Sequence, residues 1–268
     1  MITPAMLARS ATVADPRWSP GGAHVAWVFT HDGRADLVVA PADESGPHVV
    51  VTADTGAGGG YDWVSDDEIV VGAADGRLVV VSAAGGVLRT LTRDGRAFAP
   101  TVSARGEVAF ACERDDACDI AVVPLDGSSW PERRSHADYA WDPAWSPDGV
   151  RLAWHEWDLP EMSWDASRIV VRDDSGAAKV VAGGDAVGVG QPRFSPNGDR
   201  IAFVSDAEGW PVIWTADLDG GSPQPVLREK REHAEPAWGP GQRSYAWSPS
   251  GNEIVWCRNE DGFGRLVI

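Results

Sequence analysis

The sequence is short of lysine, of cysteine and of long apolar runs, and each shortage narrows what the chain can be. Lysine stands at Lys179 and Lys230 alone, and no basic cluster interrupts a formal net charge of −17. Binding to a phosphate backbone needs a local density of lysine and arginine, so nucleic acid is excluded as a partner class. No run approaches the roughly 20 apolar residues that a membrane-crossing helix requires, so no membrane partner is expected. The opening residues, Met1 to Ser10, lack the basic and apolar regions of a secretory leader. Three cysteines agree with a reducing compartment, and a cytoplasmic protein is expected. Cys112 and Cys118 flank a predicted hairpin at Glu113–Ala117 and are either a cross-hairpin disulfide or two free thiols. Cys257 lies in an apolar strand and reads as inert core.

The usual chemical signatures are also missing. There is no Gly-x-Ser-x-Gly, the strained turn that exposes a nucleophilic serine; Gly220-Gly-Ser-Pro-Gln224 fails at its last position. Thr55-Gly-Ala-Gly-Gly-Gly60 resembles a phosphate loop by its glycines alone, with no Lys-Ser/Thr after it, and reads as a connector. The acidic turns Asp115-Asp116, Asp173-Asp174 and Asp217-x-Asp219 match no calcium-loop pattern, and the His and Cys spacings match no zinc site. They read as solvated turns, so neither a metal nor a cofactor is expected. His24, His31, His48, His136, His155 and His233 are scattered and read as turn or surface residues.

What the sequence does have is tryptophan, 14 of them, recurring in one phrase. Trp141-Asp-Pro-Ala-Trp-Ser-Pro-Asp-Gly-Val-Arg-Leu-Ala-Trp154 reads as strand, tight turn, strand. In the turn Pro presets φ, Asp bonds its own backbone and Gly accepts positive φ. Copies start at Pro16-Arg-Trp18, Pro192-Arg-Phe194 and Tyr245-Ala-Trp247, with a blurred copy at Pro236-Ala-Trp238 and weaker ones at Tyr61-Asp-Trp63 and Pro100-Thr-Val102. With Trp18, Trp63, Val102, Trp145, Phe194 and Trp238 as anchors, neighbours lie roughly 40–50 residues apart, the period of a four-stranded propeller blade. Most of the tryptophans should therefore pack between blades.

The expected fold is all-β, a β-propeller of four-stranded antiparallel blades. Six blade-like units are read at about 14–54, 61–95, 98–138, 141–184, 191–230 and 236–268, the last incomplete. Residues 1–13 read as an N-terminal extension with a short helix capped at Thr3-Pro4. A blade lacking its outer strand leaves an unpaired edge, so either the first residues complete the last blade or the chain is a fragment; the fragment is favoured. Unit four carries an insertion, His155-Glu-Trp-Asp-Leu-Pro-Glu-Met-Ser-Trp-Asp165, between its second and third strands.

The repeat, Pro-x-Trp/Phe-Ser-Pro-Asp/Asn-Gly followed by Ile/Leu-Ala-Phe/Trp, resembles the WD40-like repeat of TolB-type proteins and of the prolyl oligopeptidase family. Longer segments are similar to acylaminoacyl-peptidase and dipeptidyl-aminopeptidase-like members: Ile2-Thr-Pro4 through Asp15-Pro-Arg-Trp-Ser-Pro-Gly-Gly22, Trp157 to Asp165, Gln191 to Trp210, and Glu235 to Ala246. The resemblance implies a non-catalytic propeller that gates access and aids peptide selection for a C-terminal α/β-hydrolase domain, which would carry the Ser, Asp and His of a serine peptidase. That domain is absent from the sequence, so no catalytic residue is assigned. Nor does the adjacent glutamate pair occur that binds a free amino terminus in the dipeptidyl-peptidase branch. The implied partners are the hydrolase domain and an oligopeptide or acyl-peptide substrate; an oligomer is compatible. The alternative is a free-standing TolB-like propeller that binds another protein.

Strand alternation puts the loops between second and third strands on one face with the links between blades. A downstream hydrolase would sit there. Glu156, Trp157, Asp158, Glu161 and Trp164 are thus the candidates for a substrate cavity or domain interface, the tryptophans for apolar contact and the acids for a cationic group. The same residues would also serve as an edge-protecting hairpin.

Overall fold

The computed structural model describes residues 11–53 and 55–268. The predicted helix at the N-terminus lies outside the described residues, while its neighbours Thr12 and Val13 begin the first strand. The protein is a ring of small antiparallel meanders, a β-propeller. Unit one is β1 (Thr12–Trp18), β2 (His24–His31), β3 (Arg34–Pro41) and β4 (Val49–Val50); unit two is β5 (Tyr61–Trp63), β6 (Glu68–Gly72), β7 (Leu78–Ser82) and β8 (Val87–Thr90). Unit three is β9 (Arg96–Val102), β10 (Glu107–Arg114), β11 (Ala117–Pro124) and β12 (Glu132–Arg133); unit four is β13 (Tyr139–Trp145), β14 (Leu152–Trp157), β15 (Ser167–Arg172) and β16 (Ala178–Gly184). Unit five is β17 (Val189–Phe194), β18 (Arg200–Ser205), β19 (Val212–Asp217) and β20 (Gln224–Pro225); unit six is β21 (Tyr245–Trp247), β22 (Ile254–Glu260) and β23 (Phe263–Val267). Units three and four are joined into one sheet by a single parallel bridge, Cys118 to Tyr139.

The repeated phrase builds the hairpin between the first two strands of a unit. In four copies the serine hydroxyl accepts the N–H five residues on: His24 to Ser19 at 3.1 Å, Arg151 to Ser146 at 2.8 Å, Arg200 to Ser195 at 3.0 Å and Glu253 to Ser248 at 3.1 Å. The glycine that ends the turn takes φ between 70° and 76° at Gly22, Gly149, Gly198 and Gly251, a region that side chains with a Cβ avoid. Serine, proline and glycine thus recur because each closes one part of the same turn.

The middle strands are buried on both faces and read as unbroken apolar runs. In unit two, Ile69, Val71, Val79 and Val81 pack with Leu37 and Val39 of unit one, whereas Val70, Leu78 and Val80 pack with Val108 and Phe110 of unit three. Similar shared cores join units three to four, four to five and five to six. The anchor aromatics of the inner strands pack against the preceding unit: Trp63 joins the core shared by units one and two, and Phe194 that shared by units four and five. Trp18 stays 64 % exposed, and among the described residues no such shared core spans the seam between units six and one. At that seam Arg243 approaches Asp15 at 3.6 Å.

Two sequence expectations change, and one open alternative is decided. The inner strand of unit six is Tyr245–Trp247, not the copy at Pro236–Gly241. That earlier copy mimics the phrase in composition, but its Trp238 is 62 % exposed and pairs with no strand. Cys257 is exposed, on the face of β22 opposite the one that packs on unit five. Cys112 and Cys118 are free thiols. They occupy adjacent rungs of β10 and β11, Cys112 opposite Asp119 and Cys118 opposite Glu113. Neighbouring rungs point to opposite faces, so one sulfur enters the core with unit two and the other the core with unit four.

Candidate functional site

The meander geometry sorts the connections onto two faces. The Ser-Pro-x-Gly turns share one face. The loops between second and third strands, and the links between units, share the other, called here the loop face. Two cavities matter: a groove on the loop face and a pocket on the ring axis.

The predicted insertion forms the wall of the groove, starting later than the sequence suggested: His155, Glu156 and Trp157 belong to β14, and the loop proper is 158–166. Its five candidate residues separate into three roles. Glu156 is an internal clasp, accepting the indole N–H of Trp154 at 2.6 Å and lying opposite Arg168, whose guanidinium reaches it at 3.3 Å. Asp158 accepts from the same Nη2 of Arg168 at 2.7 Å, and that bond holds its carboxyl below the usual carboxylate range. Trp157 is buried, stacked on Tyr139 at 5.3 Å and edge-on to Trp141 at 4.6 Å. These three residues fix the loop from behind rather than line a cavity. Glu161 is exposed at the loop tip, and Trp164 alone of the five lines the groove.

Histidine was also misjudged from sequence. His155 is fully buried beneath this loop, and burial pushes its imidazole down to about 4, so it is neutral. His233 is buried too, its Nε2 2.7 Å from Glu229 and its Nδ1 accepting the Ile213 N–H at 3.3 Å. Neither faces solvent: His155 lies within β14, opposite Trp141 and Ile169, and His233 lies in the loop against β19.

The groove has a volume of about 260 Å³. Trp164 packs against Trp238 beside it, ring centres 4.9 Å apart, and Ser163 ties the loop to the segment before unit six's first strand by donating to the Ala237 carbonyl at 2.8 Å. Its charged lining is all acidic: Asp206, Glu232 and Glu235. Asp206 accepts the Gly188 N–H at 2.8 Å, yet burial raises its carboxyl above the usual range. The groove therefore offers one indole surface, that of Trp164, and a negative field, which suits a cationic group carried on an apolar segment.

The axial pocket, about 210 Å³, collects Arg17, Asp62, Thr101, Pro143, Arg193 and Arg243, one residue from each unit. Four inner strands reach it through the same bulge. Asp15, Ala99, Asp142 and Gln191 take φ between 45° and 56°, each is followed by proline, and the ladder slips by a residue at each place. The bulge turns the residue before proline away from the ladder. Asp142 accordingly accepts the Gly241 N–H at 2.6 Å, and Gln191 accepts the Ser244 N–H at 2.8 Å. The sequence carried the signal for this, a residue-Pro pair just before each anchor, but it read as part of the strand rather than as a cavity lining.

No protein-family model matches the chain. Solved structures do. A puromycin-hydrolyzing peptidase of Mycobacterium tuberculosis superposes with a TM-score of 0.83 at 25 % identity, over 99 % of this chain and 45 % of that one. A puromycin hydrolase gives 0.82 at 24 % identity, over 99 % and 47 %. An acylaminoacyl peptidase gives 0.63 at 14 % identity, over 95 % and 44 %. The chain thus spans less than half the length of each of these structures, and its propeller is similar to those of prolyl-oligopeptidase-family peptidases.

Proposed function

We propose that the chain is the non-catalytic propeller of a serine peptidase of the prolyl oligopeptidase family. Its partner would be an α/β-hydrolase domain lying outside these 268 residues and seated on the loop face. Acyl transfer from an oligopeptide or acyl-peptide to a serine would take place in that domain. The propeller would limit access to the covered site and help to select the peptide. The observation that carries this reading is the superposition of 99 % of the chain on part of a puromycin-hydrolyzing peptidase, at a TM-score of 0.83. The groove adds to it: Trp164 and the acids Asp206, Glu232 and Glu235 open on the face where such a domain would sit. A cytoplasmic setting fits the three unpaired thiols.

Two measurements test this. The reading frame after Ile268 should encode a Gly-x-Ser-x-Gly followed by Asp and His. A stop codon there would overturn the reading and leave a free-standing propeller. In the full-length protein, Trp164→Ala with Glu235→Gln should change the ratio of kcat/KM between peptides with and without a positively charged group. An unchanged ratio would remove the selection role.

A further inference from the structure

The arginines of the axial pocket are not matched by the carboxylates around them. Arg17 is satisfied: it forks onto Asp15 at 2.9 and 2.6 Å and also donates to the Tyr61 carbonyl. Arg193 gives one N–H to the Gln242 carbonyl at 2.9 Å, while its Nε is buried without a partner. Among the described residues Arg243 makes no hydrogen bond; its ion pair, 3.6 Å to Asp15 Oδ1, is to an oxygen that Arg17 already holds. Protein surrounds Arg243 closely, yet 39 % of its side-chain surface stays accessible, as expected for a group that lines a cavity.

The acids of the pocket do not make up the deficit. The two oxygens of Asp62 take the backbone N–H groups of Trp63 at 3.1 Å and Val102 at 3.0 Å, with Arg17 no nearer than 3.5 Å. Asp142 is committed to Gly241, and burial raises its carboxyl, which weakens it as a counter-charge. Burial together with the nearby Arg193 and Arg17 pushes the Arg243 guanidinium down to about 9. Burial is the larger cause. Three arginines thus converge at the axis of a chain of net charge −17.

We propose that the axial pocket binds a small oxyanion, a carboxylate or a phosphate, held by Arg243 and Arg193. Guanidinium groups present paired N–H donors that match the two oxygens of such an anion. A pocket of about 210 Å³ has room for the anion and its nearest waters. Two sources share this chemistry: the carboxy-terminal carboxylate of a peptide, and free phosphate. The site rests on the pocket alone and stands whether or not the chain serves a peptidase.

Calorimetric titration of the 268-residue protein with inorganic phosphate, trialanine and trialanine amide tests it. One equivalent of phosphate or trialanine should bind, and Arg243→Gln should weaken binding about tenfold or more, the loss of one charge-assisted contact. Trialanine binding without amide binding assigns the site to peptide carboxylates; phosphate binding with no preference between the two peptides assigns it to free anions. Arg243→Lys keeps the charge without the fork and should fall between wild type and Arg243→Gln, and a wild-type thermal midpoint in both variants would show that they fold. Failure of phosphate and trialanine alike to bind, or equal affinity in Arg243→Gln, would overturn the proposal.

Discussion

The phenol of Tyr245 donates to the carbonyl of Gln191 at 2.7 Å, across the junction between units five and six. The junction between units one and two repeats the bond. There Tyr61 lies 2.7 Å from both the Asp15 and the Ala26 carbonyls, which share its one proton. Two residues on, the indole of Trp247 donates to the Arg193 carbonyl and that of Trp63 to the Arg17 carbonyl, each at 3.2 Å. Arg193 and Arg17 in turn lie over the tyrosine rings, at 5.9 and 4.6 Å. Tyr-x-Trp in one unit and Pro-Arg in the unit before it thus form one clasp, used twice.

Tyr245→Phe should therefore loosen a junction without emptying a cavity. The ring stays, but the buried Gln191 carbonyl loses its phenol donor, at a cost of about 1–2 kcal/mol. Chemical denaturation should show a lower midpoint with an unchanged slope. A midpoint equal to wild type would mean that the bond contributes nothing.

Protonation of His155 should destabilise the protein on the acid side of neutrality. Its folded-state value, about 4, is below the ordinary 6.5. Between those values the unfolded chain takes up a proton that the folded chain refuses, so stability is full above about 6.5 and is lost as pH falls towards 4. The difference in full is on the order of 3 kcal/mol. Asp142 and Asp206, with raised carboxyls, act in the opposite direction, so the comparison must be with a variant. In thermal melts from pH 8 to pH 4.5, His155→Leu should lose less stability than wild type; parallel curves would contradict the assignment.

Removing the Glu156 carboxylate should weaken the fold first and peptide selection second. Glu156→Ala strands the Trp154 indole N–H and leaves Arg168 Nη2 with Asp158 alone. A cost of about 1–3 kcal/mol is expected for the buried donor. Glu161→Ala, at an exposed loop tip, should leave the melting temperature unchanged. Equal melting temperatures for the two variants would contradict the clasp.

One thiol per native chain should react with a maleimide at neutral pH. Cys257 is exposed, whereas burial raises the thiols of Cys112 and Cys118, the latter to about 12. Mass spectrometry of the labelled protein should place the adduct on Cys257. Rapid labelling at all three positions would show that β10 and β11 open readily.

The propeller and its repeat were legible because the turn between first and second strands demands particular residues, and Ser146, Pro147 and Gly149 declare them. Trp238 misled for the same reason: Pro236 to Gly241 has the composition of the phrase without the strand that should follow. The fate of the insertion was half legible. Its length marked a special loop, but whether Glu156 faces a cavity or an indole depends on Arg168 lying opposite it, which is a matter of register. The axial pocket was half legible too: the residue-Pro pairs marked its bulges, but Arg17, Arg193 and Arg243 meet only when the ring is built. Charge in the sequence said net acid; it did not show three arginines gathered at the axis.

The apolar cores between consecutive units give this architecture party walls: one strand serves two rooms. Ile69 belongs to one neighbour and Val70 to the other, though they are adjacent in the chain. Excising a whole repeat would therefore leave two raw surfaces that were never shaped to meet. Lengthening the loop at 158–166 disturbs no wall, so novelty can accumulate at the rim while the partitions stay fixed.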